Sequence, residues 1–120
     1  MSPLPDDPPI LDLGHLSRQT AGDAVLESEL LALFEAQCER LRPLLAEGRP
    51  AGARADAAHT LKGSACAIGA SRLARVADRL ETALRSEQPE TEAAALMVGF
   101  DEVVAMTRRA AAERLRAAAA

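Results

Sequence analysis

The apolar residues of this chain leave it little choice of secondary structure. It has two phenylalanines, Phe34 and Phe100, and neither tryptophan nor tyrosine, yet 48% of its residues are hydrophobic. Any core must be packed from Leu and Ala, with some Val, Ile and Met. Leu, Ala and Met are good helix formers, and the β-branched and aromatic residues that favour strands are scarce. An all-α domain is expected, and 120 residues suit one domain.

Periodicity and helix breakers divide the chain. Residues 1–9, with Pro3, Pro5, Pro8 and Pro9, read as a flexible arm. Residues 10–120 read as a single helical bundle domain. Ile10, Leu13 and Leu16 suggest a short helix ending near Gln19. A first long helix is expected from about Gly22 to Glu47, capped by Asp23 and bent by Pro43. Its apolar stripe is Leu26, Leu30, Leu33, Phe34, Leu41, Leu44 and Leu45. Gly48 and Pro50 break it. A second helix runs from about Ala51 to Ile68 and stops at Gly69. A third runs from Ser71 to about Ser86, with Leu73, Val76, Ala77, Leu80 and Leu84 inward. A fourth starts near Glu90 and frays beyond Arg114. Four amphipathic helices with short connections predict an up-down-up-down four-helix bundle with a short additional N-terminal helix.

The net charge of −4 and the lack of a long basic run argue against nucleic acid. No stretch approaches the length of apolar chain that spans a membrane, and the N-terminus does not resemble a signal peptide. Cys38 and Cys66 match no metal-ligand spacing, and a reduced, cytoplasmic setting is expected. Cys38 flanks the first stripe and reads as a small core residue.

The informative stretch is His59-Thr60-Leu61-Lys62-Gly63-Ser64-Ala65-Cys66-Ala67-Ile68-Gly69. On a helical wheel Ala58, Leu61, Ala65 and Ile68 share one arc, and His59 falls on the far side, facing water. Its expected neighbours are Ala55, Lys62, Gly63 and Cys66, mostly small residues that leave room for another protein to approach closely. An ordinary solvated face carries long charged side chains instead. Gly63 costs a helix interior about 1 kcal/mol. A steric reason for keeping it is that a side chain there would project beside the imidazole. Lys62, on the same face, is placed to offset the charge of a phosphoryl group on His59. By repulsion it would also favour the neutral imidazole, whose nitrogen is nucleophilic.

The run H-T-L-K-G-S-A-C-A-I-G resembles the signature of histidine-containing phosphotransfer (HPt) domains, H-x-L-K-G followed by small residues and Gly. The match is at His59, Leu61, Lys62, Gly63 and Gly69, and Leu73 with Leu80-Glu81 also resembles that family's third helix. The resemblance implies a phosphorelay carrier, with His59 as phospho-acceptor, Lys62 as charge partner and Gly63 as clearance. The implied partners are receiver domains of response regulators and a histidine kinase, hybrid or not. The Mg²⁺ of that scheme belongs to the receiver, so no cofactor is expected here. Dimerising kinase domains place an acidic residue directly after the His and a Pro soon after. Here Thr60 follows His59, the next proline is Pro89, and no Gly-rich phosphate loop is present. Autokinase activity is not expected.

Arg72, Arg75 and Arg79 share a flank of the third helix. They suit a solvated face or, extended by Arg54, a basic rim that steers an acidic receiver towards His59. Cys66 reads as part of the docking surface. His15 is assigned an idle or capping role, and Ser64 a bond to a helix carbonyl. One chain supplies all the helices, so a monomer is expected. The alternative function is a non-catalytic helical adaptor binding a receiver or kinase through the same face.

Overall fold

The computed structural model describes residues 8–119, and the expected arm falls largely outside them. Helix α1 (Leu13–Gln19) is followed by α2 (Ala24–Leu41), a 3-10 turn (Arg42–Leu45), α3 (Ala51–Ile68), α4 (Ser71–Leu84) and α5 (Pro89–Ala119). No strand occurs among the described residues. Helices α2 to α5 pack in a ring, each against the next and α5 back against α2, with α1 laid on α3. This is the expected bundle with its short extra helix.

Local chemistry fixes most of the ends. Asp12 caps α1 by accepting from the His15 amide, and Asp23 caps α2 by accepting from the amides of Val25 and Leu26. Pro89 opens α5, where its missing N–H costs nothing, and Glu90 and Glu92 occupy the first turn.

The first long helix is shorter than expected. It stops at Leu41 and passes into the 3-10 turn, whose second residue is Pro43. Proline has no amide hydrogen and its ring excludes the carbonyl four residues back, so it ends the α-helix here instead of bending it. The inward stripe is also rotated. Leu31, Phe34, Cys38, Leu41 and Leu45 are buried, while Leu26 and Leu33 are exposed, Leu33 at 62%. Helix α5 does not fray beyond Arg114 but stays helical to Ala119. Ala111 is buried and Leu115 packs on the core, which anchors this good helix-forming run.

Helix α3 ends at Gly69 in the left-handed conformation, φ 76°. The Ala70 amide donates to Ala65 O and the Gly69 amide to Cys66 O, which closes the helix in a Schellman motif. Glycine is required twice over. A Cβ at Gly69 would sit 3.0 Å from both Asp12 O and His15 Cδ2, so α1 docks directly on the end of α3. His15 is therefore a packing residue, with its Nε2 buried and unpartnered.

Candidate functional site

The tight turn at Gly69 and Ala70 folds α4 back along α3, and the site lies on the seam between these helices. His59 projects from α3 with its side chain 64% exposed, as its helical phase predicts. Its Nδ1 lies 3.0 Å from Glu81 Oε1 on α4. An ionised carboxylate only accepts hydrogen bonds, so this contact places the imidazole proton on Nδ1. In the neutral imidazole Nε2 is then the unprotonated nitrogen, and it has no hydrogen-bond partner among the described residues.

Glu81 is the most enclosed member of the group, with its side chain 15% exposed. Desolvation pushes its carboxyl up, but hydrogen bonds from His59 and Arg85 outweigh this and hold it below the usual carboxylate range. It therefore remains an anion at neutral pH. Arg85 Nε donates to Glu81 Oε2 at 3.1 Å, and Arg85 Nη2 donates to Asp56 Oδ1 on α3 at 2.9 Å. Lys62 donates from Nζ to Asp78 Oδ1 at 2.9 Å and lies 3.9 Å from Glu81 Oε1. One Glu81 oxygen thus faces both the imidazole and the ammonium.

Gly63 lies one turn beyond His59 on the exposed face. A Cβ built there meets nothing within 4 Å, so the fold itself does not require glycine. The same is true of Gly52 and Gly99, and what distinguishes Gly63 is its place beside the imidazole. Cys66 is exposed further along this face. Ser64 does not bond back to its own helix. Its Oγ accepts from Gln37 Nε2 of α2 at 3.5 Å, linking α2 to the edge of the His59 face.

A model of the Hpt domain matches residues 28–118. The chain belongs to the Hpt domain family. Such domains act with receiver domains and kinases in phosphorelays. A solved structure described as histidine phosphotransferase ShpA from Caulobacter crescentus is 31% identical, with a TM-score of 0.57 over 89% of this chain and 99% of that one. Among curated proteins no relative matches.

Several residues of this Hpt domain expected on the docking face or its rim lie elsewhere. Ala55 is buried against the neighbouring helices and is not on the docking face. The inward arc of α3 is wider than the Leu and Ile pattern indicates, because α4 packs against its near flank. Arg54 is also interior, only 2% exposed, with Nε donating to Leu45 O at 3.1 Å and Nη1 3.5 Å from the exposed Glu90 carboxylate. An arginine bound this way closes the 3-10 turn against α3 and α5 and cannot steer a partner. Arg79 lines a groove with Val76, Leu96 and Phe100 on the α5 side of α4. Arg72 and Arg75 share that flank of α4 by helical phase, and neither has a hydrogen bond or ion pair with the His59 group among the described residues. Around His59, α4 presents Asp78, Glu81 and Arg85 instead of a basic rim.

Among the described residues, no cluster of three or more His, Cys, Asp or Glu side chains is arranged to hold a metal ion. No described helix is long and apolar enough to cross a membrane.

Proposed function

We propose that this Hpt domain relays a phosphoryl group between His59 and the aspartates of response-regulator receiver domains. The observation that carries the reading is the hydrogen bond between His59 Nδ1 and Glu81, which in the neutral imidazole leaves Nε2 unprotonated on an exposed side chain. Nε2 attacks the phosphorus of a receiver aspartyl phosphate. The N–P bond forms as the P–O bond to the aspartyl carboxyl breaks, and the carboxylate departs with the electron pair. The Nδ1 proton stays on the ring, and Glu81 balances the positive charge that develops there. The reverse step passes the group to a second receiver. Lys62 meets the charge of the transferred group, and Gly63 leaves room for the receiver's active-site loops. Mg²⁺ is supplied by the receiver. A hybrid kinase is the upstream donor.

Beyond the imidazole, the exposed face of α3 carries Gly63 and Cys66 and continues across the Gln37–Ser64 contact onto α2, where Leu26 and Leu33 share the face of Gln37 and are exposed. A small-residue surface with an apolar flank suits close docking of a receiver.

The test is incubation with a phosphorylated receiver, followed by assay for acid-labile, base-stable phosphate on this chain. Label on the wild type that His59→Gln abolishes is the expected result. Receiver binding with no label on either protein would leave the adaptor reading in its place.

A further inference from the structure

Arg85 lies at the C-cap of α4, where its amide donates to Glu81 O and Thr82 O. Its guanidinium spans both helices of the site. Nε holds Glu81 Oε2 at 3.1 Å, and Nη2 holds Asp56 Oδ1, one turn before His59, at 2.9 Å. Asp56, Arg85, Glu81 and His59 form one continuous chain of hydrogen bonds. The two Glu81 oxygens are divided within it, one fixed by Arg85 and the other accepting from the imidazole.

A simpler account treats Arg85 as an exposed cation at a helix C-terminus with an i,i+4 partner, a feature of small energetic value. The position of Lys62 separates the two accounts. Its ammonium is 3.9 Å from the Glu81 oxygen that faces His59. If Arg85 did not hold the other oxygen, Glu81 would be free to turn towards this second cation, and Nδ1 would lose its acceptor. An imidazole without that acceptor favours the proton on Nε2, the atom that must be free to react.

We propose that Arg85 is a positioning residue for His59: by tying Glu81 to Asp56 it aims the free Glu81 oxygen at Nδ1 and keeps Nε2 unprotonated. This inference rests on the phosphotransfer reading, but its primary test does not use a receiver. Ring ¹⁵N shifts of His59, recorded with the imidazole neutral, report its tautomer directly. In the wild type the Nδ1–H form dominates. In Arg85→Met it gives way to a mixture with Nε2–H, and phosphoryl uptake falls about fivefold or more, with receiver affinity unchanged. Arg85→Lys restores the charge at the helix end and the thermal stability. It does not restore the full Nδ1–H population, because an ammonium lacks the planar fork that grips two carboxylates.

A wild-type tautomer in Arg85→Met, or its complete recovery in Arg85→Lys, would overturn the proposal. Should Arg85→Met fail to fold, Asp56→Asn loosens the far end of the same clamp at an exposed position. It should move the tautomer in the same direction, and an unmoved tautomer there counts against the clamp. If the tautomer responds as expected while the wild type takes up no phosphate, the relay reading fails and the positioning role stands.

Discussion

Lys62 donates to Asp78 Oδ1 at 2.9 Å, so the ammonium that would meet a phosphoryl group is already held by the neighbouring helix. The hydrogen bond to Asp78 raises its pKa above the ordinary lysine value and keeps it charged. Lys62→Met should slow phosphoryl uptake by about tenfold while leaving the fold intact. Asp78→Asn frees the ammonium and should slow nothing. Initial rates of label transfer from a phosphorylated receiver check both.

Gly63 should divide stability from activity. Its Cβ position is open, so Gly63→Ala should stabilise the domain by about 1 kcal/mol. Gly63→Leu should also fold, yet lower the transfer rate by at least about tenfold through obstruction of the approach to His59. Thermal denaturation and transfer assays on the same samples are the check. Unimpaired transfer in the Leu variant would refute the clearance role.

The lowered pKa of Glu81 fixes the sign of an acid dependence. Its native contacts favour the anion, so their contribution is complete above the ordinary glutamate value of 4.5 and is lost as pH falls through the lower native value. The stability gap between the wild type and Glu81→Gln should therefore be constant near neutrality and close in acid. Urea denaturation across that range measures it.

The cysteines should behave oppositely. Burial pushes the Cys38 thiol up to about 11, whereas Cys66 is exposed. A thiol reagent should label Cys66 in the native protein and reach Cys38 only on unfolding. Because the native state favours the neutral thiol, the stabilisation at Cys38 is complete below the ordinary value of 9.0 and is lost as pH rises towards about 11. Cys38→Val should remove that part of the alkaline destabilisation.

Arg54→Met tests the interior assignment of that residue. It removes the donor to Leu45 O and leaves a buried carbonyl unpaired, which should cost about 1–3 kcal/mol. Receiver affinity of the folded protein should not change. A surface steering role would give the reverse pattern, with normal stability and weaker, salt-sensitive binding.

The helices, their order and the exposed His59 were legible in the sequence because each follows from local rules. Gly69 must stop a helix, and a residue opposite Leu61 and Ala65 must face outward. What periodicity missed depends on what each helix meets. On α2, Leu occurs around enough of the helix that Leu33 reads as core, and only the packing against α3 and α5 selects Leu31 and Phe34. Arg54 reads as surface because charge is normally solvated, and only the fold supplies the Leu45 carbonyl that holds it inside. Glu81 stands out in the sequence only beside Leu80, through the likeness of that pair to the third helix of HPt domains. Its spacing of three from Asp78 and four before Arg85 marks a shared face, but not that this face meets His59.

The contacts that build the site join positions 16, 22 and 29 residues apart, and all fall within the α3–α4 hairpin. Loops this short close at small entropic cost, so the proposed reactive constellation is joined by contacts that are cheap to form. The hairpin carries the proposed chemistry, while α2 and α5 supply the apolar backing it cannot provide for itself. Substitutions in those outer helices that preserve their packing should leave the proposed reaction untouched and alter the surface offered to a partner. Rate and recognition can therefore diverge independently along one short chain.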